Sequence, residues 1–303
     1  MKELTRRRFL TISAGAACLV SGPVLAQDVT RWRGAALGAE ASIILSHPSA
    51  GAIIARAVAE IDRLEDVFSL YRSGSALSRL NASGRLGSPP FELLECLALS
   101  GRVHAATGGL FDPTVQPLWA LYATQHAAGL APDAAQIAEA RRLTGWDRVS
   151  FDEGAVRLPA GGALTLNGVA QGFIADMVAN LLREEGLTDI LINTGELRAL
   201  GGSPQGGAWP VRIPGAGKVD LIERALATSS PLGTCFDAAG RVGHILDPRT
   251  GLPAAATWRL ASISAPRAAL ADALSTAACL MPDRETIAAA TAQFSGARIE
   301  ALV

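Results

Sequence analysis

Asp272 and Thr276 lie four residues apart in the mostly apolar run 268–280, which reads as a helix. At i and i+4 their oxygens share one helical face. One carboxylate and one hydroxyl, completed by backbone carbonyls, phosphate oxygens and water, form a sparse hard-oxygen site that suits Mg²⁺. The same spacing also fits a helix-start Asp and a Thr bonded back to its own helix. His244 falls on the alternating segment 242–246, next to the turn Asp247-Pro248-Arg249. Histidine relays protons near neutral pH and arginine holds phosphate through two parallel hydrogen bonds. A satisfied structural histidine is the competing reading.

Two further segments display polar groups between small residues. In Gly109-Leu110-Phe111-Asp112-Pro113-Thr114-Val115 the Asp precedes Pro, which pushes it out of the α region and onto a turn, as a ligand group or as an ordinary helix cap. Leu164-Thr165-Leu166-Asn167-Gly168-Val169-Ala170-Gln171-Gly172 joins a strand-like segment to a helix. Small residues there admit a ligand close to the backbone, and helix-start N–H groups suit a diphosphate. The segment is not GxGxxG, so the dinucleotide fingerprint is absent, and a plain tight turn explains the spacing equally.

The elements that must position these groups follow from periodicity. Apolar residues at helical spacing predict helices over 52–68, 91–106, 134–143, 172–185, 268–280 and 284–294, with Gly186 as the residue that ends the fourth. Strand-like runs fall at 148–151, 155–158, 164–166, 189–193, 209–213, 225–228, 242–246 and 259–264. Residues 69–81 read as a polar stretch after the first helix. Helices and strands mix without strict βαβ alternation, which favours an α+β fold over a doubly wound sheet.

At 303 residues, 49% hydrophobic and 18% charged, the chain can bury a large core. Its net charge is −1 and its cations are scattered, so nucleic acid is not indicated as a partner. The N-terminus carries Arg6-Arg7-Arg8, the apolar run 11–20 and small residues around Ala26. This reads as a twin-arginine export signal over residues 1–26, with a mature periplasmic domain over 27–303. The apolar run is about half the ~20 residues a membrane span needs. The mature cysteines, Cys96, Cys235 and Cys279, are widely spaced and suggest neither a zinc site nor a disulfide framework.

Taken in order, the blocks resemble a known family. Phe68-Ser69-Leu70-Tyr71-Arg72 with Ser75-Ala76-Leu77-Ser78-Arg79-Leu80-Asn81 resembles F-S-x-Y…S-x-L-S-x-L-N, and Gly109–Val115 resembles G-x-F-D-P-T-V. His244-Ile245-Leu246-Asp247-Pro248-Arg249-Thr250-Gly251 resembles H-I-x-D-P-R-T-G, and Asp272-Ala273-Leu274-Ser275-Thr276-Ala277 resembles D-A-x-x-T-A. The chain is thereby identified as a member of the ApbE-type FAD:protein FMN transferases from about residue 35 to its end. The resemblance implies an ApbE-like (T-fold-like) two-lobed α+β fold with FAD in a central cleft. It also implies Mg²⁺-dependent transfer of FMN from FAD to a Thr or Ser hydroxyl of an acceptor protein, with release of AMP.

By that resemblance Asp272 and Thr276 ligate Mg²⁺ with a backbone carbonyl near Gly168. Tyr71, Leu110, Phe111 and Asp112 line the FAD pocket, Thr165, Gln171 and Arg249 contact the cofactor, and His244 and Asp272 serve catalysis. Family members commonly carry Asp at the place of Thr165 and Lys or Glu at the place of Gln171, and their usual double glycine after the Asn is reduced here to Thr194-Gly195-Glu196. These departures keep open a non-catalytic periplasmic FAD-binding or carrier protein. A solute-binding protein would explain a cleft but not the last two blocks. By analogy, the acceptor is a membrane-bound redox protein, and an exported member fits a periplasmic respiratory system such as nitrous oxide reduction.

Overall fold

The computed structural model describes residues 29–303, so the export-signal segment lies outside the described residues. The chain runs β1 (Thr30–Ala36), β2 (Ala39–Leu45), α1 (Ala50–Phe68), α2 (Ala76–Ser83), β3 (Arg85–Gly87), α3 (Phe91–Ala106), α4 (Gln116–Ala127), α5 (Ala134–Arg142), β4 (Ser150–Phe151) and β5 (Ala155–Arg157). It continues through α6 (Ala170–Glu184), β6 (Ile190–Asn193), β7 (Leu197–Leu200), β8 (Trp209–Ile213), β9 (Gly217–Leu221), β10 (Ala225–Ser229), β11 (Ala261–Ala265), α7 (Ala268–Ala278), α8 (Arg284–Thr291) and β12 (Arg298–Leu302). Short 3₁₀ turns occupy Pro113–Val115 and Trp146–Arg148. The fold is α+β, as the sequence predicts.

Seven strands form an antiparallel sheet in the order β1-β2-β6-β7-β10-β11-β12. Its two faces are covered differently, as side-chain alternation along each strand requires. One face sends Ile43, Ile192, Ala227 and Ile263 into the main core against α1, α6 and α7. The other sends Ile44, Leu191, Leu197 and Leu226 against Trp209, Val211, Ile213 and Leu221 of the β8–β9 hairpin. Phe68 meets Phe173 edge-on at 5.3 Å, locking α1 to α6. A three-stranded sheet, β3-β5-β4, stands apart from the large one.

Several elements depart from the sequence reading for local reasons. Residues 76–83 form α2, because the Ser75 side chain accepts from the N–H of Ser78 and Gly84 closes the helix at φ 71°. Residues 164–166 make no strand. There Asn81 brackets Leu164 with two 2.8 Å bonds, and the Thr165 N–H donates to the Pro113 carbonyl at 2.8 Å. The segment is therefore pinned by loops rather than by a sheet. Residues 242–246 are held only by isolated bridges, Cys235 to Gly243 and Leu246 to Pro253. The strand expected over 148–151 shrinks to Ser150–Phe151 behind a 3₁₀ turn. Gly186 ends α6 at φ 77°, with Leu187 N–H bonded back to Leu182, as expected. Cys96, Cys235 and Cys279 are free thiols, and Cys96 and Cys279 are buried.

The contact between α6 and α7 is backbone to backbone. Gly172 sits so close to the start of α7 that a Cβ there would overlap the backbone of Ala268. One turn on, the buried Asp176 carboxylate accepts from the N–H groups of Ala268 (2.8 Å) and Ala269 (3.1 Å). It thus satisfies donors that α7 leaves unpaired at its own start. Arg198 and Arg267 flank the same carboxylate at 3.6 and 3.5 Å. Gly172→Ala is expected to destabilise by roughly 1–3 kcal/mol through overpacking. Thermal melting should show a midpoint lower by about 3–8 °C, whereas an unchanged midpoint would mean the joint is slack.

Candidate active site

The α6–α7 joint brings two of the sequence blocks face to face. Asp272, on α7, accepts through Oδ2 from the N–H of Gly172 at 3.2 Å, one of the free donors at the start of α6. Gly168 lies just before α6, and a Cβ on it would stand 3.0 Å from Thr276 Oγ1 and 3.4 Å from the Phe111 ring. Only a bare backbone fits that corner. Ser229 Oγ lies 2.7 Å from Ser275 Oγ and 3.4 Å from Thr276 Oγ1, which brings the end of β10 to the same place.

Around this corner opens a cavity of about 400 Å³. Tyr71, Leu110, Phe111, Asp112, Thr165, Gly168, Gln171, His244, Asp272 and Thr276 all line it. Of the site residues singled out in the sequence, Arg249 alone is not among the lining residues. Its guanidinium forks onto Asp247 within its own turn, Nη2 to Oδ2 at 2.8 Å and Nε to Oδ1 at 3.1 Å.

Asp112 is both things its sequence context allowed. Its Oδ1 caps the 3₁₀ turn, accepting from the N–H (2.8 Å) and hydroxyl (2.6 Å) of Thr114, while the residue lines the cavity. Gln171 is wedged against Gly195, whose backbone at φ 105° leaves no room for a side chain. Thr194 donates its hydroxyl to the Gln171 carbonyl at 2.7 Å, which ties this turn to the start of α6.

Electrostatics distinguish the buried groups. Burial pushes Asp272 up to about 8, the Gly172 N–H opposes this, and the neighbouring Asp176 charge adds to it. Glu196, which also lines the cavity, is driven well above the usual carboxylate range by burial and then by Asp272, while its bond from the Thr228 N–H (3.1 Å) opposes this. His244 is lowered by burial, partly offset by the carbonyls of Thr234 and Pro231. Its Nδ1 lies 3.0 Å from the Thr234 carbonyl, which can only accept, so the ring donates there.

The corner fits a hard cation. Gly168 and Thr276 leave between them a gap that a Cβ would crowd, Asp272 lines the same cavity, and a buried carboxylate raised to about 8 is one that a cation would keep ionised. Among the described residues no group of three or more His, Cys, Asp or Glu could hold a metal. A cation here would therefore draw on hydroxyl and carbonyl oxygens beside Asp272, with water or phosphate completing the shell.

Leu37, Glu196 and Trp119 are among the lining residues that sequence reasoning missed. Leu37 turns the β1–β2 hairpin at φ 49°, a conformation unusual for leucine, and its N–H is held at 2.7 Å by Glu65. Nothing in its residue type signals that. Glu196 follows Thr194-Gly195, and a carboxylate beside a glycine turn was the available signal. Trp119, on α4, reaches the cavity from the aromatic cluster that includes Phe236.

Comparison with known proteins places this geometry in a family. The ApbE family profile matches residues 37–302, so the chain belongs to the ApbE family. A FAD:protein FMN transferase of Klebsiella pneumoniae is 28% identical over 269 residues, which span 82% of this chain and 74% of that one. One from Treponema pallidum is 32% identical over 266 residues, 78% and 73% of the two chains. The apo flavinyl transferase ApbE of Pseudomonas stutzeri superposes with a TM-score of 0.78 at 26% identity over 90% of each chain. The ApbE protein of Thermotoga maritima gives 0.81 at 25% identity over 91% and 96%.

A raised carboxyl pKa makes a stability prediction. Folded Asp272 binds its proton up to about pH 8 and the unfolded chain releases it near 3.8, so metal-free stability falls as pH rises across that window. Asp272→Asn removes the penalty. In chelator-treated protein the variant's melting advantage over wild type should grow from pH 5 to pH 8.5, reaching several degrees; a difference independent of pH would refute the assignment.

Proposed function

We propose that the chain transfers FMN from FAD to a Thr or Ser hydroxyl of an acceptor protein and releases AMP, with Mg²⁺ at the α6–α7 corner. The observation that carries this reading is the meeting of Gly168, Asp272 and Thr276 in one wall of a cavity that His244 also lines. Its support is the naming of the Klebsiella and Treponema relatives as FAD:protein FMN transferases.

In the proposed reaction the acceptor oxygen forms a bond to the FMN-side phosphorus. The phosphoanhydride bond breaks, AMP leaves with the bridging oxygen, and the hydroxyl proton is taken up by His244 or solvent. His244 is suited to this because it lines the cavity and burial favours its neutral form. The bound cation would neutralise the diphosphate. Asp272 and Thr276 would hold that cation, while the N-terminus of α6 presents backbone N–H groups to the phosphates. Leu110, Phe111, Tyr71 and Leu37 would bury the apolar parts of FAD, and Asp112, Thr165 and Gln171 would supply neutral or capped polar contacts. The uncharged Thr165 and Gln171 favour weak FAD binding; they are also the observation behind the second reading, a flavin carrier without turnover.

We further propose that this happens in the periplasm after twin-arginine export, on a membrane-bound redox acceptor, in a respiratory system such as nitrous oxide reduction. The support is the N-terminal arginine and apolar pattern of the sequence.

The test is to incubate residues 27–303 with FAD, Mg²⁺ and a periplasmic flavin-acceptor domain and read the acceptor's intact mass. An FMN adduct that needs Mg²⁺, is lost in Asp272→Ala and falls at least about 100-fold in His244→Ala is expected. Bound FAD with no adduct across several acceptors would establish the carrier instead.

A further inference from the structure

The cavity does not end at the α6–α7 corner. It continues past Gly195 onto the outer face of the large sheet, where Asn193, Leu191, Ser42, Ile44, Arg31 and Arg33 line it. The register explains the continuity. Arg33 is level with Ser42, and Ser42 with Asn193; Arg31 is level with Ile44, and Ile44 with Leu191. Between the two arginines, Trp32 turns to the opposite face and packs on the main core, so both guanidinium groups are committed to the outer face. β1 is the edge strand of the sheet, and both arginines are exposed. Among the described residues neither arginine is ion-paired, and the nearest acid on this strip, Glu40, stands level with Ala35 nearer the hairpin turn.

A strip of this form leads away from the transfer site, offers apolar and amide groups first and unpaired positive charge beyond. A diphosphate is too short to use both ends, but an extended peptide is not. We propose that this strip, granted the transferase reading above, is the track for the acceptor segment, and that Arg31 and Arg33 bind an acidic side chain flanking the hydroxyl that receives FMN. The spacing can be estimated. Arg33 is two strands, about 10 Å, from Asn193, and Arg31 lies a further ~7 Å along β1. With the modified Thr or Ser seated level with Asn193, an extended chain advancing ~3.3 Å per residue puts the acidic residue about three to five positions away.

The test compares wild type with Arg31→Glu/Arg33→Glu on the same acceptor domain, reading adduct formation by intact mass and FAD affinity by flavin fluorescence. The double variant should raise the acceptor KM at least tenfold, leave the FAD Kd within twofold, and melt within a few degrees of wild type. Neutralising an Asp or Glu of the acceptor three to five positions from the hydroxyl should raise KM similarly. Its effect should disappear when combined with the double variant, and an Arg placed there should rescue that variant. A weakened FAD Kd with an unmoved acceptor KM would overturn the proposal and assign the arginines to the cofactor. An unmoved KM with intact FAD binding, or an equally good acceptor lacking acid in that window, would overturn it too. Absence of any adduct with wild type would instead count against the transferase reading itself.

Discussion

Everything chemical in this molecule hangs on the close crossing of α6 and α7. Gly172 lets the helices touch backbone to backbone, Asp176 on α6 caps α7, and Asp272 on α7 accepts from the start of α6. The two helices therefore satisfy each other's unpaired N–H groups through carboxylates exchanged across the joint. That exchange fixes the distance between Gly168 and Thr276 and so creates the oxygen corner. It also concentrates buried negative charge, since Asp176, Asp272 and Glu196 are all raised by desolvation. Asp176 has Arg198 and Arg267 beside it, whereas Asp272 lines the cavity and makes no salt bridge among the described residues. Asp176 is thus compensated by the protein, and Asp272 is turned toward the cavity instead.

The rest of the fold serves this joint. The antiparallel sheet gives α6 and α7 a flat apolar floor, and α1 braces α6 through Phe68 and Phe173. Long-range hydrogen bonds then tie the loops to the corner: Asn81 to Leu164, Thr165 to Pro113, Thr194 to Gln171. Each joins one sequence block to another, which is why blocks far apart in the chain converge on one cavity. Sheet continuity does the same for β1 and β2, whose outer face extends the cavity to the edge of the molecule.

Legibility in the sequence followed locality. Amphipathic helices such as α1 and α6 announce themselves because their apolar stripes repeat within the segment, and Gly186 marks an end by its freedom to take positive φ. The Asp272–Thr276 pair was legible because helical spacing alone puts both on one face. Arg249 stands outside the cavity lining, its guanidinium held by Asp247 two residues away, a local pairing that residue types alone do not announce. Residues 164–166 looked like a strand because apolar alternation does not reveal that Asn81 and Pro113, rather than a neighbouring strand, take up the backbone hydrogen bonds. Leu37 and Glu196 stayed hidden because a strained leucine and a buried carboxylate acquire meaning only from the hairpin turn and the sheet around them.

The central claim is that the α6–α7 joint builds a divalent-cation site out of Asp272, Thr276 and the Gly168 backbone. Titration with Mn²⁺ in the presence of FAD, followed by electron paramagnetic resonance of the free ion, tests it directly. The account predicts one saturable site per chain that is abolished in Asp272→Ala and weakened about tenfold or more in Thr276→Val. Undiminished Mn²⁺ binding in Asp272→Ala would contradict it.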